Sequence, residues 1–335
     1  MKITGTGNIT AFTTGKEDFI SYITTGEPQL KPLEPFIDIV RIPGGLIGDA
    51  VMSEPDDQRA LRRMARVSRY AISAIKMAIR DAGGDDIEPG ETALIVALTH
   101  GALNYTCEYH SSIVDSSSVD ISPLLFSESV LNAPAGNASI YFGINGPVHT
   151  IVGGNTVGLK AIGLAVHILS AGICSRVVVA ASEEMNRLSL FCRSRLGESA
   201  ISEGAAAIVV DQSDTSTEAY CYITAIVSFF MPDKPEESLK IALNRALRKA
   251  GLSLTDIGMV ITDRPELFPD MRSIQLRRLF GNCFSVSSMI NLLAGVLLFR
   301  EDVLKDTFEI RDIENILVCD VEKTGETSVV ILSRP

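Results

Sequence analysis

Two hydrophobic rhythms run along the chain. Dense apolar runs bounded by polar or turn-forming residues predict buried strands at 92–97, 148–152, 176–181 and 204–210, and again at 259–261, 315–319 and 328–332. Apolar positions recurring at helical spacing predict helices over 157–171 and 287–299. Regular alternation of the two element types is the pattern of an α/β fold.

One helical pattern occurs twice. Ala74-Ile75-Lys76-Met77-Ala78-Ile79-Arg80-Asp81-Ala82-Gly83 and Ala242-Leu243-Asn244-Arg245-Ala246-Leu247-Arg248-Lys249-Ala250-Gly251 lie 168 residues apart, half the chain. Each ends on a glycine where a helix C-terminus favours one. Each is followed by an Asp-Ile pair, Asp86-Ile87 and Asp256-Ile257, and then by an apolar, strand-forming run. A short motif of this kind can recur by chance, but the half-length offset favours duplication of an α/β unit. The polar stretch Asp211-Gln212-Ser213-Asp214-Thr215-Ser216-Thr217-Glu218 divides the chain into halves at 1–212 and 213–335. No Gly/Pro-rich linker lies there, so the halves are expected to pack together.

Length and composition narrow the classes. With 335 residues and 46% apolar side chains the chain can bury a large core. The six cysteines are scattered without a CxxC pair or metal-ligand spacing, and read as reduced thiols. No apolar run approaches the ~18 residues of a membrane span, and the N-terminus has neither the basic nor the apolar region of a signal peptide. These features lead us to expect a cytoplasmic chain. A net charge of −11 disfavours non-specific nucleic-acid binding. Nothing in the sequence points to a metal or an organic cofactor, since Gly5-Thr6-Gly7 and Gly153-Gly154-Asn155-Thr156-Val157-Gly158 lack the spacing of a nucleotide loop.

The chemistry centres on Ile151-Val152-Gly153-Gly154-Asn155-Thr156-Val157-Gly158, where a strand runs into a helix through a small-residue turn. This is the geometry of a nucleophile elbow, which presents one side chain at a helix N-terminus whose dipole favours an anion. Here that side chain is Asn155.

The stretch Gly146-Pro147-Val148-His149-Thr150-Ile151-Val152-Gly153-Gly154-Asn155-Thr156-Val157-Gly158 resembles the β-ketoacyl synthase active-site segment G-P-x-x-x-x-x-T-A-C-x-S-G, with Asn155 in the cysteine's place. Ser122-Pro123 through Asn132-Ala133-Pro134-Ala135-Gly136 resembles that family's S-P…N-x-x-A-G segment. Glu203-Gly204-Ala205-Ala206 resembles its G-E-G-A-A, and Ile3-Thr4-Gly5-Thr6-Gly7 fits its opening strand. The similarity covers the first ~210 residues well and the rest faintly. It implies a thiolase-like fold of duplicated α/β halves in αβαβα layers, the second half shortened.

The same resemblance implies what is missing. The family's cysteine thiolate accepts an acyl chain, which an amide cannot do. Its two histidines belong to the C-terminal half, whereas His100, His110, His149 and His167 all lie in the first. The first histidine motif is replaced by Thr262-Asp263-Arg264-Pro265. The second is lost around Ser288-Met289-Ile290-Asn291-Leu292-Leu293-Ala294-Gly295, and the preceding lysine has no counterpart. The glycine loop that helps form the oxyanion hole is reduced to Glu322-Lys323-Thr324-Gly325-Glu326-Thr327.

A cysteine-less relative of this kind matches the chain length factors of type II polyketide systems. Those proteins pair as heterodimers with an active β-ketoacyl synthase and serve an acyl carrier protein; an aryl-polyene or similar polyene pathway is a setting the resemblance allows. Asn132, Pro134, Gly153, Gly154 and Asn155 are then tunnel or interface positions. Alternatives are a diverged decarboxylase or acyltransferase on acyl thioesters, and a scaffold with a vestigial tunnel. Asn155 is either a helix cap and tunnel-wall residue or a group that binds an acyl thioester or assists decarboxylation. Arg59, Arg62, Arg63 and Arg66, with Arg69, form a basic run expected on one helix, either a docking strip for the carrier protein or partner, or a solvated face. His149 and His167 read as core or interface residues.

Overall fold

A computed structural model describes residues 1–38, 41–48, 61–84, 87–115, 122–213, 215, 217–310 and 312–335. The strands of its main sheet, beside a small three-stranded one, are β1 (Lys2–Thr10), β2 (Thr92–Leu98), β3 (Val148–Val152), β4 (Arg176–Glu183), β5 (Gly204–Asp211), β6 (Cys221–Phe230), β7 (Met259–Thr262), β8 (Ser273–Ile274), β9 (Asn315–Val321) and β10 (Glu326–Ser333). Their order across the sheet is β8-β7-β9-β10-β6-β1-β5-β4-β2-β3. Read outward from the centre, one half runs 1-5-4-2-3 and the other 6-10-9-7-8, the same path with five added to each number. The directions agree as well. β1–β5 and β5–β4 are antiparallel while β4–β2 and β2–β3 are parallel, and β6–β10, β10–β9, β9–β7 and β7–β8 repeat that series. The halves join where Lys2 and Ile3 of β1 pair with Tyr222 and Cys221 of β6.

The repeated sequence motif has a packing reason. Helix α1 (Gly15–Thr25) precedes α2 (Arg66–Asp81), which lies across β1. A Cβ added to Gly7 would stand 2.2 Å from the carbonyl oxygen of Ala74, and one at Gly5 would stand 2.1 Å from that of Ala78. Alanine on the helix and glycine on the strand therefore let two backbones meet directly. Three further helices, α3 (Leu103–Asp115), α4 (Pro123–Ser129) and α5 (Ala133–Phe142), lead to β3, which passes into α6 (Val157–Ser170). Helix α7 (Arg187–Arg195) precedes the second copy of the motif on α8 (Pro235–Ala250), where Ala242 and Ala246 are fully buried over β6 and β10. Gly251 closes α8 with φ 70°.

The layers follow from which faces are apolar. Helices α2 and α5 cover the first half of the sheet around Tyr70, Ile75, Leu94 and Val178. Helix α8 covers the second half around Val260, Leu317 and Ile331. Between the halves lie α6 and α9 (Ser285–Leu298), joining Leu159 and Ile162 to Met289, Leu293, Val177 and Val318 in the central core. Every residue of α9 is buried, as an all-round apolar helix must be. The result is the αβαβα arrangement of duplicated halves. The polar stretch expected between them begins inside a strand. Asp211 ends β5, where it accepts Arg176 at 2.7 and 2.9 Å and Thr4 at 2.8 Å. Asp86, Asp214 and Ser216 lie outside the described residues. Among the described residues no helix is long and apolar enough to cross a membrane.

Candidate functional site

Strand β3 ends at Val152, Gly153 and Gly154 turn the chain, and α6 starts after Asn155 and Thr156. Thr156 is the N-cap, and the half-buried Asn155 does not cap the helix. Its amide instead donates across the site to Asn282 Oδ1 at 3.1 Å. Asn282 is fully buried, and the same oxygen accepts the backbone N–H of Phe284 at 2.9 Å. Phe284 has φ 53°, a left-handed conformation costing roughly 1–3 kcal/mol in a non-glycine residue. An amide facing an amide supplies neither a nucleophile nor a base.

The first turn of α6 is already occupied by a carboxylate. The backbone N–H of Thr156 donates to Glu322 Oε1 at 3.2 Å. A Cβ on Gly154 would fall 2.2 Å from that oxygen, so glycine is required for the carboxylate to sit there. Burial lowers the pKa of Lys160 on the same turn, and the charge of Glu322 opposes that shift. Lys160 pairs with Glu326.

A second buried carboxylate ties three segments beside the elbow. Glu183, at the end of β4 and 1% exposed, accepts the Ser285 hydroxyl at 2.6 Å and the backbone N–H of Thr99. It also meets the backbone N–H and Nδ1 of His100, each at 3.2 Å. The His100 ring stands edge-on to Phe284 at 4.5 Å, and the Arg193 guanidinium lies 5.1 Å from the centre of that ring. Sequence reasoning gave His100 no role. Its signal was position, two residues past the end of β2, where parallel strands of an open α/β sheet deliver functional groups. The carboxylate lies between Ser285 and His100, so the order that would activate a serine, with histidine in the middle, is absent.

Where histidine motifs would have fallen, the second half holds buried acids. The Asn291 amide donates to Asp320 Oδ1 at 3.0 Å and to Asp263 Oδ1 at 3.5 Å, while Asp320 Oδ2 has no partner among the described residues. Burial pushes both carboxyls up. The adjoining crevice, lined by Asp263, Arg277, Gly281, Ser287 and Asn291, is too narrow for a water molecule.

Of the positions expected to form a tunnel or interface, Gly153, Gly154 and Asn155 come together at the elbow. Asn132 is exposed and Pro134 buried at the start of α5, which packs against β2 and β3. The arginine run does not share one helix. Arg62 and Arg63 are exposed in a turn, Arg66 opens α2, and Arg59 lies outside the described residues. Arg66 is directed inward, bonding Ile47 O at 2.7 Å and the Tyr70 hydroxyl at 2.9 Å, with Glu203 Oε2 at 3.4 Å. Glu203, of the G-E-G-A-A segment, is 2% exposed and also accepts Ile47 and Met185 N–H groups at 2.9 and 2.8 Å, which makes it a structural clamp. His149 and His167 are exposed, because the first stands on the sheet-edge strand and the second on the outer face of α6, so neither belongs to the core.

Residues 53–207 match the family described as β-ketoacyl synthase, N-terminal domain. A 3-oxoacyl-[acyl-carrier-protein] synthase 2 of Vibrio harveyi is 29% identical over 42% of this chain and 34% of its own length, so the chain spans about a third of that relative. Among solved structures, an ishigamide ketosynthase/chain length factor superposes with TM-score 0.85 at 17% identity, covering 99% of both chains. A β-ketoacyl synthase from Burkholderia phymatum gives 0.84 at 15%, covering 100% of both. Near-equal likeness to the two shows the shared fold alone.

Proposed function

We propose that this chain, whose residues 53–207 match the β-ketoacyl synthase N-terminal domain, is a non-condensing subunit, a chain length factor. In this role it pairs with a cysteine-bearing ketosynthase and shapes the acyl tunnel through which a carrier protein delivers the growing chain. The observation that carries the reading is the closure of the nucleophile position by two amides, Asn155 Nδ2 to Asn282 Oδ1 at 3.1 Å. Acyl transfer at an elbow needs an ionisable nucleophile with a base in reach. The only histidine described beside α9, His100, is engaged with Glu183.

Pairing draws support from the surface. Phe126, Leu131, Ile140, Val148 and Val152, all between α4 and the end of β3, are 55, 45, 80, 36 and 48% exposed. Large apolar side chains left exposed on neighbouring elements are candidates for a contact surface. Co-expression with the cognate ketosynthase is expected to give a 1:1 complex whose product lengths shift when residues of this chain that line the tunnel are changed. A synthase that condenses equally well alone, and never co-purifies with this chain, would refute the reading.

The narrow crevice beside Asn291 favours a second reading, a scaffold with a closed tunnel. It predicts the same complex but product lengths indifferent to those substitutions.

A further inference from the structure

We infer that Glu322 is a second lock on the elbow, separate from the missing cysteine: its carboxylate occupies the anion position at the start of α6 and keeps a thiolate or thioester oxyanion out. The inference rests on reading position 155 as the nucleophile position.

Three independent observations carry it. The carboxylate accepts the Thr156 N–H at 3.2 Å, the donor at the head of the helix where the dipole favours negative charge. The space left by the absent side chain of Gly154 is filled by this group, since an added Cβ would lie 2.2, 2.6 and 2.7 Å from Oε1, Oε2 and Cδ. The loop bearing Glu322 is pinned. The Glu322 N–H donates to Glu326 O at 2.8 Å, the Gly325 N–H donates back to Glu322 O at 2.9 Å, and a Cβ on Gly325 would collide with Met231 O at 1.7 Å. The charged groups described around it are Lys160 from α6, Glu326 from β10 and Asp320 from β9. Lys160 and Glu326 pair with each other, which leaves the Glu322 carboxylate facing the helix terminus.

A negative charge beside position 155 works against ionisation of any acid placed there. Restoring cysteine alone therefore leaves a sluggish thiol. The test compares Asn155→Cys with Asn155→Cys/Glu322→Gln. Iodoacetamide alkylation of residue 155 is followed from pH 5 to 10 by peptide mass spectrometry, which separates it from the six native cysteines. Thiolate displaces iodide, so the rate reads thiol ionisation. Removing the charge is expected to lower the midpoint by about one pH unit, which is about tenfold faster alkylation at pH 7. Superimposable profiles would overturn the inference.

If the cysteine variants fail to fold, the near-isosteric pair Asn155→Asp and Asn155→Asp/Glu322→Gln reads the same field by carboxyl carbon NMR. The titration midpoint of the introduced carboxyl should again fall by about one unit when Glu322 is neutralised, and an unmoved titration is equally fatal. Neither measurement needs a partner. A lock that stands while no synthase co-purifies would count against the proposed function only, and equal profiles in a chain that does pair would count against the lock only.

Discussion

Asp320 shows what single residues contribute beyond the elbow. Its carboxyl shares the Asn291 amide with Asp263, leaves one oxygen without a partner among the described residues, and is buried, so its pKa is raised, first by desolvation and then by the charge of Asp263. A carboxyl that holds its proton more tightly folded than unfolded gives stability fully present below the ordinary carboxylate range and lost as pH rises toward the folded pKa. Asp320→Asn removes this dependence. In urea titrations at several pH values between 4 and 8, the stability of the wild type relative to the variant should fall as pH rises, by up to about 1.4 kcal/mol per unit for one proton. A difference that does not change with pH would remove Asp320 as the source. Such a group was not legible in the sequence, where an aspartate reads as surface. Glu322 was hidden for another reason: its partner Thr156 is 166 residues away. Asn155 was legible because strand, paired glycines and helix are contiguous.

At the scale of elements, the duplication could be read from the chain because its cause is steric and local. Alanines four apart on α2 meet Gly5 and Gly7 of β1, and the corresponding alanines of α8, Ala242 and Ala246, are buried over β6 and β10. Gly7→Ala places a methyl 2.2 Å from Ala74 O and 2.6 Å from Ala78 N, backbone on both sides, so the helix must move as a whole. The expected loss is about 1–3 kcal/mol, measured as a lower urea midpoint. Gly136→Ala is the matched control. It lies inside α5 with nothing within 4 Å of the added methyl, and should stabilise by about 0.5–1 kcal/mol. Equal effects would disprove the close-approach argument. The strand order and the enclosure of α6 and α9 were not readable, since sequence periodicity reports which face of an element is apolar and not which neighbour covers it.

The whole molecule ends its sheet differently on its two sides. In the second half the edge strand β8 has two residues, a blunt end of the kind that discourages pairing. In the first half the edge is β3, with five residues, Val148-His149-Thr150-Ile151-Val152, and within it neither lysine nor proline guards the open backbone groups. Val148 and Val152 are exposed on it, and Ile140 on the adjacent α5 is 80% exposed. Among the described residues nothing pairs with this edge, and if the chain pairs with a synthase as proposed, β3 is where a partner strand would add. Val148→Lys/Val152→Lys places two charges where a partner strand would lie, on side chains that face outward and bear no core weight. The double variant should therefore melt within a few degrees of the wild type, yet fail to co-elute with the synthase in size-exclusion chromatography. Should the complex survive these charges, the partner covers some other face, and the apolar residues of α4 and α5 become the place to look for it.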